Sequence, residues 1–235
     1  MYDRDGYRVT GIGYVKSGKY RTLSVEGVGI AFGPLDVQTH TSSGTLVMRG
    51  LLSGESLSFF GYSYIQGSLS GTNLFVCGKM RVAGGVKAES LSLEGKLICR
   101  NEMNSRSFRS KGTFLGKSLH TTEADLHGKV RLRELDGQKI RITAKKKSYI
   151  QSVTGDSLHL TGADNSSPSI LTAENVVGKD IDIENCQIHF LKGDVLNVGP
   201  RCRVEIVQYV NQLTVHPTSV VKVVYQYDEG ADQDP

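Results

Sequence analysis

The sequence predicts an all-β chain wound into a parallel β-helix, a triangular β-solenoid of ~17–18 residues per coil. Three observations carry this prediction: a ladder of glycines at fixed spacing, columns of apolar residues at that same spacing, and the absence of charge from those columns. Gly27, Gly44, Gly61, Gly78, Gly95 and Gly112 follow one another at one constant interval, the length of a single coil. Leu23, Leu57, Leu74, Leu91 and Phe108 each precede one of these glycines by four residues, with His40 in the remaining place. Two residues after the glycines come Leu46, Met80, Leu97 and Phe114, and two further on Met48, Ile65, Val82 and Cys99. A third column holds Leu35, Leu52, Leu69, Val86 and Met103, and a second glycine set (Gly33, Gly50, Gly67, Gly84) separates it from the second.

Each cluster is a pair of apolar residues with one residue between them, the alternation of a short half-buried strand. Three such strands and three corners make one coil. The glycines fall at the corners, where the chain needs unusual φ or close backbone approach. Charge supplies an independent check. Of the six inward positions per coil over residues 23–124, none holds Asp, Glu, Lys or Arg, although such residues recur throughout the window. Inward positions are predicted for His40 and His120 as well, as satisfied core or edge side chains.

The second half continues the theme less regularly. LNVGPRCRVEIV from 196 and LTVHPTSVVKVV from 213 align at the same spacing, with Pro200 over Pro217 and Val204 over Val221. IRITA (140–144), LHLTG (158–162) and IDIEN (181–185) keep short alternating strands, and ADNSSPS (163–169) reads as an outward loop. The organisation expected is a lead-in over 1–22, the regular solenoid over 23–124, a continuation over 125–227, and an acidic disordered tail over 228–235.

Composition narrows the function classes. There is no Trp, 27 Gly and 38% hydrophobic residues, which suits a thin elongated core. No apolar run approaches the ~18 residues of a spanning helix, and MYDRDGYRV does not read as a secretory signal. Cys77, Cys99, Cys186 and Cys202 form no C-x-x-C pair and read as reduced thiols, so the cytoplasm is the expected compartment. A net charge of +4 does not by itself argue for nucleic acid.

No catalytic, metal or cofactor constellation emerges. The six histidines are scattered without metal-ligand spacing, no carboxylate pair meets across coils at inward positions, and there is no G-x-x-x-x-G-K-[ST] loop. The main rival is a hexapeptide-repeat acyltransferase β-helix, whose coils hold three whole hexapeptides and so run slightly longer than the repeat seen here. A second rival is a basic-surface binding module built on Lys145–Lys147 with Arg131, Arg133, Lys139 and Arg141, or on Arg100, Arg106, Arg109 and Lys111. Aromatics are not interleaved with these runs, so nucleic acid is not an expected partner.

The glycine-punctuated coils, the lead-in Gly11, Gly13, Gly18 and Tyr20, and the closing GPRCRVEIVQYVNQLTVHP resemble the bactofilin family of polymer-forming bacterial cytoskeletal proteins. The likeness is to the longer, two-part members of Gram-positive, endospore-forming bacteria, and it covers nearly the whole chain. It implies a right-handed solenoid that polymerises through its ends without nucleotide or cofactor, and that positions cell-envelope, cell-shape or flagellar motility machinery. The partners implied are the chain itself, a paralogous bactofilin, and envelope or motility proteins, with the membrane reached only indirectly.

Two surfaces are candidates for such contacts. The C-terminal coil SVVKVVYQY (Val220, Val221, Val223, Val224, Tyr225) lacks any capping helical pattern and is the expected polymer contact by β-augmentation. Ile30, Val47, Tyr64, Ile98 and Leu115 share one outward position on different coils, interrupted by Arg81, and form a lateral apolar stripe.

Overall fold

The computed structural model describes residues 4–163 and 171–227. Among them there are fifteen strands and no helix, and every strand pairing is parallel. The fold is a parallel β-solenoid. It divides into two units between Thr121 and Thr122.

In the first unit, β1 (Arg4–Val9), β2 (Ile12–Val25) and β3 (Val28–Ser42) lie on successive coils. β4 (Thr45–Arg49), β6 (Tyr62–Ile65) and β8 (Lys79–Val82) then extend one face, and β5 (Leu52–Phe59), β7 (Leu69–Val76) and β9 (Val86–Leu93) extend the others. Both series meet the first part of β10 (Lys96–Ala144). The predicted columns are ladders: Leu23, His40, Leu57, Leu74, Leu91 and Phe108 are register partners in that order. So are Leu35, Leu52, Leu69, Val86 and Met103. The leucines of both columns are at most 3% exposed, and each such side chain taken from water contributes about 1.5–3 kcal/mol.

The corner glycines are required by close approach. A Cβ on Gly61 would overlap the carbonyl oxygen of Gly44, and one on Gly44 would overlap that of Gly27. The same contact recurs up the column through Gly112, so each coil rests on the backbone of the last.

Two expectations are corrected here. His120 is not inward; Leu119 is fully buried instead, and the His120 imidazole lies 3.8 Å from the Glu102 carboxylate. The alternation has slipped by one residue past Phe114, which exchanges inner and outer faces and lets a leucine replace an imidazole in the core. His40 is inward, but it is not satisfied. It is fully buried beside Phe59, ring centroids 5.0 Å apart, and neither ring nitrogen has a hydrogen-bond partner. Burial pulls its pKa down to about 4, with a weaker backbone contact at Leu23 opposing.

In the second unit, β10 pairs with β11 (Ser148–Gly162), then β12 (Leu171–Glu184), β13 (Cys186–Val198), β14 (Arg203–Val215) and β15 (Val220–Gln226). Ile140, Leu158, Ile181 and Leu196 are partners in one inward column, which aligns the three short sequence segments read as strands. Leu196 faces Leu213 and Val204 faces Val221, as their spacing predicts. At one corner Asn185 adopts φ 51° and its side-chain amide donates to the Gly162 carbonyl at 2.9 Å, a left-handed turn that Asn tolerates. The expected loop beyond Ala163 and the expected acidic tail lie outside the described residues.

Candidate functional site: the last turn and one sheet face

The last described turn of the second unit is built from β14, the segment His216–Ser219, and β15. Pro217 stops the strand, and the hydroxyl of Ser219 donates to the Gly199 carbonyl at 2.6 Å while accepting the Cys202 amide at 2.8 Å. This turn fixes β15 against β14, with Val204 opposite Val221 and Val207 opposite Val224. Val204 and Val207 are fully buried. Their partners point the same way, and among the described residues no further strand lies over them: Val221 is half-buried and Val224 is 47% exposed. Leu213 and Val215 repeat the pattern over buried Leu196 and Val198.

Val220, Val223 and Tyr225, also placed in the polymer contact by the sequence, point outward at 40–55% exposure. Among the described residues no strand pairs the free edge of β15. Lys222 and His189 reach Glu205 at 3.0 and 2.6 Å, and together they hold its carboxyl below the usual range.

The first unit begins differently. Tyr7 stands in register with buried Leu23, its ring 6.0 Å from that of Tyr20, and its hydroxyl donates to the Tyr14 carbonyl. Tyr20 is fully buried and donates to the Lys16 carbonyl at 2.8 Å. The core at this end is covered by aromatic rings. The last turn presents bare valines.

The lateral stripe also takes shape. Tyr14, Ile30, Val47, Tyr64, Arg81 and Ile98 are successive partners on the outer side of one face, and Leu115 follows in β10. The structure adds flanking rows that sequence reading missed. One runs Ile12, Val28, Thr45, Tyr62, Lys79 and Lys96, and the other starts Lys16, Phe32, Arg49. Rings and cations interleave here: the Arg49 guanidinium lies 5.7 Å from the Phe32 ring centre and the Lys79 ammonium 5.6 Å from that of Tyr62. The members of each pair stand one repeat apart in the chain, so writing the sequence at its own period reveals them.

Elsewhere the surface offers less. An open trough of about 410 Å³ runs past Asp36, Ser53, Ser70 and Lys87. Its floor is Gly54 and Gly71, where a Cβ would press on the preceding backbone, so packing accounts for its shape. The basic residues Arg131, Arg133, Lys139, Arg141 and Lys145–Lys147 are all exposed in the second unit, as are Arg100, Arg106, Arg109 and Lys111 in the first. His159 and His189 each meet one carboxylate, at 2.8 and 2.6 Å, and no group of three metal-ligating side chains occurs among the described residues. All four cysteines are free. No helix among the described residues is long and apolar enough to cross a membrane.

Fold and surfaces together define a parallel β-solenoid whose second unit has an unpaired last strand among the described residues and whose first unit carries an apolar, cation-studded face. No known family model, curated protein or solved structure matches the chain.

Proposed function

We propose that this chain is a non-enzymatic scaffold of the bactofilin kind, which assembles end to end through its last turn, without nucleotide, and positions envelope, cell-shape or flagellar machinery in the bacterial cytoplasm. One observation carries the reading. Val221 and Val224 occupy core stations of the solenoid, yet among the described residues no further coil buries them. A strand from a second copy supplies what is missing: ladder partners for the free edge of β15 and apolar side chains over the valines. Like-with-like contact at this end gives a two-fold joint, and repetition then requires a second contact elsewhere on the chain.

The test is sedimentation velocity and negative-stain electron microscopy of the purified chain, at physiological salt and without nucleotide or metal. Filaments or large oligomers are expected. A stable monomer at high concentration overturns the reading.

A further inference from the structure

The face of the first unit that carries the apolar stripe has a composition that its own fold does not require. Among the fifteen positions placed in its three rows by the ladder registers there is no Asp or Glu, and Lys16, Arg49, Lys79, Arg81 and Lys96 supply five cations. Nine of the remaining positions are aliphatic or aromatic. Ile12 is 83% exposed, Tyr14 65% and Phe32 50%, far more than a core or a covered face leaves open. The two kinds of residue are graded along the face. Apolar side chains dominate the early rungs, and Lys79, Arg81 and Lys96 fall on the two rungs next in order. From the Tyr14 rung to the Ile98 rung is five strand spacings, about 24 Å.

We propose that, in place of the indirect membrane contact expected from the sequence, this face docks directly on the surface of an anionic lipid bilayer. Ile12 and Phe32 enter the headgroup–acyl boundary, Tyr14 and Tyr62 sit at headgroup level with ring in and hydroxyl out, and the cations contact lipid phosphates. Attachment therefore uses two signals, hydrocarbon burial and charge, each too weak alone for stable anchoring. A second copy is a poor occupant, because face-to-face pairing sets five cations against five with no acid to offset them. Single-stranded nucleic acid is a poorer one. It would use the rings and cations, but it leaves Ile12, Ile30 and Val47 facing polar bases and water.

The test is flotation of the full chain in a density gradient, where vesicles rise and protein polymers sink, so assembly does not confuse the result. Vesicles of equal parts phosphatidylglycerol and phosphatidylcholine should carry the protein up, and vesicles of phosphatidylcholine alone should not. Lys79→Glu with Arg81→Glu should lower the lipid partition constant, read from flotation over a lipid titration, at least about 25-fold, taking roughly fivefold per basic residue lost. Ile12→Asp with Tyr14→Asp should abolish flotation, and Ile12→Ser with Tyr14→Ser should weaken it with the circular-dichroism spectrum unchanged. Lys145→Glu with Lys146→Glu, in the second unit, should float like the parent. Failure to float with the anionic vesicles overturns the proposal, as does flotation that survives the Ile12/Tyr14 changes or is lost with the Lys145/Lys146 pair. Release from the vesicles by a thymidine homopolymer at lower concentration than that of the lipid also overturns it, and reassigns the face to nucleic acid.

Discussion

Leu74 and Leu91 are direct partners across a parallel ladder, one repeat apart in the chain and each no more than 3% exposed. The inward columns of the first unit are this relationship repeated, because a side chain at one station is covered by its counterpart one coil away.

Replacing Leu91 by Asp strands a charge between Leu74 and Phe108, with no partner within the column. A loss of several kcal/mol is expected. Glu94, three residues on, faces solvent, and Glu94→Lys should change stability by less than about 0.5 kcal/mol. Urea denaturation of both variants checks the register; equal losses would refute it.

The glycine columns give a second contrast. Gly61→Ala drives a methyl into the Gly44 carbonyl oxygen, and the rung must move, at about 1–3 kcal/mol or more. Nothing lies within 4 Å of a Cβ built on Gly11, so Gly11→Ala should be within about 0.5 kcal/mol of the parent. Thermal melts of the two alanine variants decide whether the corners depend on close approach.

His40 makes the fold sensitive to acid. Its pKa is about 4 when folded, against 6.5 when unfolded, so between those values the unfolded chain binds the extra proton. Stability is full above about pH 6.5 and falls as the pH drops toward 4, by roughly 3 kcal/mol in total. His40→Leu fills the same station between Leu23 and Leu57 and should remove that part of the slope. Unfolding free energies at pH 7 and pH 4.5 for parent and variant would show it; identical slopes would exonerate His40.

The assembly variant is best placed at the two bare core stations. Val221→Lys with Val224→Lys sets like charges across the joint and should abolish filaments, leaving species no larger than the pair held by the second contact, with an unchanged β spectrum. Val223, chosen as readily from sequence alone, points outward and should matter less. Filaments that persist in the Val221/Val224 variant would move the joint elsewhere.

Much of this was legible before the structure, for a physical reason. A solenoid repeats one environment at one spacing, so Leu57, Leu74 and Leu91 announce themselves together. What escaped was whatever departs from the repeat or crosses it. The slip that buries Leu119 in place of His120 shortens one coil by a residue, and no turn motif marks it. The Arg49–Phe32 and Lys79–Tyr62 pairs were missed because basic residues were sought as runs along the chain, whereas a solenoid gathers its surface across coils. The orphaned imidazole of His40 needed the packing around it, since the sequence shows only that it stands in an apolar column.

Each rung of this protein hydrogen-bonds to chain made about one coil earlier, and to nothing far ahead. A growing polypeptide can therefore lay down one turn at a time, every completed turn serving as the template for the next. The surface at Val221 and Val224 has the same kind of edge that every earlier turn offered its successor. If a second molecule takes the place of the next coil, joining copies is a late step of folding, carried on in trans.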